Sequence, residues 1–140
     1  MRVIRPVPIG ILVTILAIAG IVPACSPERG RSVKIEIVNE TSSPVRDLVI
    51  TSVDAEMGLP AIGAGESVAV NYDTGDSGEN EIILIHSGSG RRYVIHPYFQ
   101  GRLTGRVTVE IHNQDSGLSG TVVIDTLWYP NTRRTLSEAE

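Results

Sequence analysis

From Val33 to Tyr129 the sequence is broken into short runs of alternating apolar and polar residues, with turn signals about every 12 residues. "VKIEIV" (Val33–Val38) puts Val33, Ile35 and Ile37 on one face. "SVAVNY" (Ser67–Tyr72) does the same with Val68, Val70 and Tyr72, and "RVTVEIH" (Arg106–His112) with Val107, Val109 and Ile111. A period of two is that of a half-buried strand. "VRDLVITSV" (Val45–Val53), "RRYVIHPYF" (Arg91–Phe99) and "TVVIDTLWY" (Thr121–Tyr129) read as further strands, with a short one around Leu59–Ile62. "EIILIH" (Glu81–His86) is continuously apolar in its middle, which predicts a central strand covered on both faces. Pro97 predicts an edge or a bulge, because proline cannot donate to a ladder.

No stretch after residue 32 carries a helical period. The expected fold is therefore all-β: an antiparallel β-sandwich, immunoglobulin-like or of related Greek-key kind, with about seven or eight strands. A small barrel is the other way to close such a chain. The sandwich domain is expected over residues 33–129, and the polar "PNTRRTLSEAE" at 130–140 is expected to fray. Hydrophobic residues make up 41% of the chain and aromatics 4%, so the core must be aliphatic. The net charge of −4 does not point to a nucleic-acid binder, which would carry a strongly basic face. With one cysteine the chain makes no internal disulfide, and that cysteine needs its own explanation.

Cys25 follows a distinctive N-terminal segment. "MRVIR" carries two positive charges, "PVPIGILVTILAIAGIV" (Pro6–Val22) carries none, and small residues come next. This is the layout of an export signal: positive, then apolar, then a small-residue cleavage point. At Val22-Pro23-Ala24-Cys25 the segment resembles the lipobox of bacterial lipoproteins, with an aliphatic residue, two further positions and the cysteine; Pro23 departs from the family's small residue. The resemblance implies a signal peptide over 1–24, cleavage before Cys25, and a diacylglyceryl thioether on the Cys25 thiolate. Residues 25–32 would then be the lipidated cysteine and a polar tether, whose Arg29 and Arg31 either touch headgroups or keep it solvated. Ser26 in place of Asp implies passage to the periplasmic face of the outer membrane in a Gram-negative cell; otherwise the protein would sit on the outer face of the plasma membrane. Two other readings stay open. Val3–Ala24 is long enough to be an uncleaved membrane anchor, or the segment is a plain export signal.

Candidate sites in the domain centre on "YDTGDSGEN" (Tyr72–Asn80). Asp73-Thr74-Gly75 resembles the Asp-Thr-Gly signature of aspartic proteases, in which two carboxylates share a proton and activate water. Here Asn71-Tyr72 precede and Asp76 follows, unlike the family pattern. The same residue types make an ordinary Asp/Gly/Ser turn. Asp73, Asp76, Glu79 and Glu81 also offer hard oxygen ligands suited to calcium, without EF-hand spacing. His86, His96 and His112 lack the spacing of a zinc site and read as strand-end or edge residues. Tyr93, Tyr98, Phe99, Trp128 and Tyr129 would form a partner surface if exposed together, and core otherwise. Arg91, Arg92, Arg102 and Arg106 would form a basic patch if adjacent. Neither phosphate-binding nor nucleophile-elbow motifs occur, and no cofactor is expected.

The expectation is a lipid-anchored envelope module, non-catalytic, that binds or assembles with an envelope protein. The alternatives are an envelope hydrolase using the Asp73 loop and a membrane-anchored structural component.

Overall fold

Alternation in the sequence becomes alternation of burial. In β1 (Val33–Asn39), Val33, Ile35, Ile37 and Asn39 are buried while Lys34, Glu36 and Val38 face outward. The computed structural model describes residues 32–75 and 78–140. Residues 1–31, on which the expected signal segment with Val22, Pro23, Ala24 and Cys25 and most of the expected tether fall, and residues 76 and 77, which include Asp76, lie outside the described residues. The remaining strands are β2 (Leu48–Thr51), β3 (Glu56–Gly58), β4 (Ser67–Tyr72), β5 (Glu79–His86), β6 (Arg91–Gln100), β7 (Gly105–Asn113), β8 (Ser119–Thr126), β9 (Thr132–Thr135) and β10 (Ser137–Glu138). Among the described residues no helix is long and apolar enough to cross a membrane.

The strands form a β-sandwich of two five-stranded sheets, ordered β4-β1-β7-β8-β9 and β10-β6-β5-β2-β3. Every pairing is antiparallel except that of β1 with β7, which is parallel. Parallel neighbours cannot be joined by a hairpin. The chain between them instead passes twice through the second sheet, by way of β2–β3 and β5–β6.

The inward residues of both sheets share one aliphatic core. Val107, Val109, Ile111, Val122 and Ile124 from the first sheet pack against Leu48, Ile50, Ile82, Leu84 and Ile95 from the second. Tyr72, Tyr93 and Phe99 are the aromatic members. β5 is central, as its apolar run predicts, but the cover differs on its two faces. Ile82 and Leu84 join the core, whereas buried Ile83 sits in an outer hollow lined by Thr51, Val53, Glu81 and Arg92.

The expected strand Val45–Val53 is a strand only over Leu48–Thr51, and three further expectations change. The strand count is ten, because short β3, β9 and β10 escape an alternation test. The short strand lies at Glu56–Gly58 and not at Leu59–Ile62, where Pro60 interrupts; Ile62 instead bridges Val45 alone. The polar C-terminal segment does not fray. β9 pairs β8, β10 pairs β6, and Leu136 between them is buried. This segment crosses from one sheet to the other and covers an edge of each, so its polar side chains face solvent while its backbone is bonded.

Candidate functional site

Strand register defines two ends of the sandwich. Val33 pairs Tyr72 and Gly105, and Gly105 pairs Thr126. The Tyr72 hydroxyl bonds Ser52 and the Ala55 carbonyl, at 3.0 and 2.6 Å. These residues share the end at which the chain enters β1. The opposite end carries the loop after β1 and the loop after β7.

That opposite end holds an open cleft of about 520 Å³. Glu40–Pro44 line one side and His112–Asp115 the other. Asn39, fully buried, organises the first wall. Its Nδ2 donates to the carbonyls of Ser43, Ile62 and Gly63 at 2.8, 2.9 and 3.0 Å. Its Oδ1 accepts the Thr41 amide at 3.0 Å and the Thr41 hydroxyl at 2.7 Å. Gln114 Nε2 ties the walls together by donating to Thr41 Oγ1 and to the Ser43 carbonyl, at 3.0 and 3.1 Å. Beside it, His112 Nε2 lies 3.0 Å from Glu40 Oε2 and 3.8 Å from Glu110 Oε2, and Arg133 reaches Glu110 at 3.3 Å. The cleft thus presents carboxylate, imidazole, amide and hydroxyl groups on backbone fixed by Asn39. Polar recognition is what such a surface can do. Replacing Asn39 with Ala removes the donor to three carbonyls, and a loss of about 2 kcal/mol is expected in urea denaturation; an unchanged midpoint would show that the loop holds itself.

The sequence pattern held a signal for Asn39. Extending the alternation of Val33, Ile35 and Ile37 by one step puts Asn39 on the buried face. The cleft itself carried none, because its walls are about 70 residues apart in the chain.

The Asp73 loop lies at the other end. Asp73 is exposed, and its Oδ1 accepts the Gly75 amide at 2.9 Å, an Asx turn. Thr74 is buried; its Oγ1 accepts the Leu103 amide at 3.3 Å and its carbonyl accepts Asn80 Nδ2 at 3.4 Å. Glu79 and Glu81 are exposed on either side of buried Asn80. Among the described residues no group of three or more His, Cys, Asp or Glu side chains is placed to hold a metal ion.

The structure separates the other groups. His86 sits at the β5–β6 turn with Ser89 Oγ 3.0 Å from its Nδ1, and His112 is at the cleft. His96 is not an edge residue, because it is fully buried. The β5–β6 register shifts on both sides of the Ile82–His96 pair, a bulge that lets Ile95 and His96 both point inward beside Pro97. Phe99 and Tyr129 meet the imidazole edge-on, with centroids 5.1 and 5.2 Å away. Nδ1 lies 2.7 Å from the Pro97 carbonyl, which can only accept, so Nδ1 carries the hydrogen and Nε2 accepts from Thr126 Oγ1 at 3.1 Å. Burial pushes its pKa down to about 4, with Arg134 adding to the shift and the Pro97 carbonyl opposing it.

The four arginines do not form one patch. Arg91 and Arg92 pair with His86 and Ile85 at the cleft end, whereas Arg106 pairs with Asp125 at the other. The late aromatics also divide. Tyr93 and Phe99 are buried, while Tyr98 and Trp128 are exposed.

No family model matches the chain, and no curated protein matches it. Among solved structures, a protein from Eubacterium rectale determined by NMR is similar, with a TM-score of 0.39 and 19% identity over 65% of this chain and 87% of that one.

Proposed function

We propose that the chain is an exported, lipid-anchored module of the cell envelope that binds or assembles with an envelope component and carries out no reaction itself. The observation that carries this reading is Val22-Pro23-Ala24-Cys25, placed after a charged and then apolar segment, with the only thiol of the chain at the acceptor position. Two features support it. Seven residues separate Cys25 from Val33, so the anchor would hold the sandwich by the end where β1 begins. The polar cleft lies at the opposite end of the sandwich, so an anchored domain would turn it away from the bilayer, where a binding surface is accessible.

The test is the intact mass of the protein extracted from membranes. Cleavage before Cys25 with added acyl chains is expected, together with release of a Cys25→Ser chain from the membrane fraction. A full-length unmodified chain overturns the reading and favours an uncleaved anchor.

A further inference from the structure

The described residues include four large hydrophobic side chains that stand exposed: Val53, Tyr98, Leu127 and Trp128. All four belong to the end of the sandwich at which β1 begins. Val53 donates its amide to Asn80 Oδ1 at 3.1 Å, next to the start of β5. Tyr98 shares a shallow hollow of about 240 Å³ with Val53, Asn80, Glu79 and Glu81. Leu127 and Trp128 directly follow Thr126, which pairs Gly105, the partner of Val33. Tyr129 ties that turn to β6 by donating its hydroxyl to the Tyr98 carbonyl at 3.1 Å. Leu127 is 88% exposed and Val53 69%, so these are side chains offered to solvent and not the margin of the core.

We infer that this end of the sandwich rests on the bilayer itself, with Trp128, Leu127, Tyr98 and Val53 entering the headgroup region of the membrane. The inference rests on the anchoring proposed above. Eight chain steps from Cys25 to Val33 span at most about 26–29 Å, so a lipidated Cys25 keeps this end beside the surface. Tryptophan and tyrosine are the residues that settle at headgroup depth, because one part of each ring system is apolar and another is polar. A lipid surface fits the four better than a charged partner does. Asp54, Asp73, Glu79, Glu81 and Asp125 lie at the same end and outnumber Lys34, Arg102, Arg106 and the Arg92 side chain that reaches the hollow beside Val53, so attraction to anionic lipid is not what holds it. Burial of apolar and aromatic surface would do so, and it would add to the acyl chains in fixing how the domain stands.

Trp128 is the single tryptophan of the chain, so its fluorescence reads this surface alone. The experiment reconstitutes the membrane-extracted protein in phosphatidylcholine vesicles whose acyl chains carry bromine near the headgroup. The expected result is a blue shift with about a two-fold loss of Trp128 emission, unaffected by high salt, because the ring sits at headgroup depth. A Val53→Ser, Leu127→Ser chain should recover most of the emission. The intact mass of the same sample reads the anchor separately. An acylated chain whose Trp128 stays solvent-exposed and unquenched overturns the docking and leaves the anchoring intact. Quenching that needs anionic lipid and vanishes in salt also overturns it, since charge would then hold the surface. An unacylated chain overturns the anchoring; the docking then stands if brominated vesicles still quench Trp128 and falls if they do not.

Discussion

Replacing Gly120 with Ala is expected to destabilise the sandwich by about 3 kcal/mol or more, the upper range for forcing an atom into a packed site. Gly120 pairs with Ile111 where His112 is the extra residue of a β7 bulge. A Cβ there would overlap the Glu110 carbonyl oxygen and lie 2.9 Å from the Glu110 carbonyl carbon and 3.1 Å from Ile111 Cα. All three atoms are backbone, and they cannot withdraw independently. Glu110 and Ile111 are paired across to Val38 and Asn39 of β1, and the Gly120 carbonyl accepts the Leu136 amide at 3.0 Å. Relief would therefore disturb three strands and the C-terminal clasp. Gly58→Ala is the matched control, since nothing lies within 4 Å of the added carbon. Urea denaturation of both variants decides the matter. Equal, small shifts would mean that β7 and β8 separate more readily than their ladder indicates.

Acidification should weaken the domain through one buried side chain. Between about pH 6.5 and 4 the imidazole of His96 protonates in the unfolded chain but stays neutral in the folded one. The unfolded state then binds more protons, so stability is complete above about 6.5 and is lost as pH falls toward 4. At 1.36 kcal/mol per unit, the full effect is about 3 kcal/mol. A His96→Gln chain has no such titration. It should begin less stable at neutral pH, because the ring contacts to Phe99 and Tyr129 are gone, but lose about 3 kcal/mol less on going from pH 7 to 4. Parallel stability curves for the two chains would show that His96 opens to solvent before it charges. The His96 ring protons give a second readout by NMR, with no shift until close to pH 4.

What the sequence revealed follows from which forces act locally. β1 and β4 were legible because each has one face buried and one solvated, and period two records that directly. Val45–Val53 looked like one strand, yet only Leu48–Thr51 is, because Asp47 adopts φ 55° and turns the chain after the Val45–Ile62 bridge. β9 and β10 were hidden for another reason. A short strand at the edge of a sheet is selected for polar side chains, which makes it resemble a loop. The inward turn of His96 depends on a bulge that only the pairing with β5 creates. Among the candidate sites, the lipobox-like segment is visible because a peptidase would read it as sequence. The cleft is assembled from Thr41, Ser43 and Gln114 by hydrogen bonds across the fold, and nothing local announces it.

The clasp formed by residues 132–138 also bears on when the protein folds. β1 is synthesised first among the strands, but its central neighbour β7 follows after β6, and the outer edges of β8 and β6 gain their partners only from β9 and β10. A growing chain therefore has a long interval in which no sheet is complete, with closure waiting on non-local contacts. For a polypeptide threaded through a translocation channel that interval is useful. Under the export proposed above, the chain would stay extended while it crosses, and the sandwich would shut on the far side once the residues around Leu136 arrive.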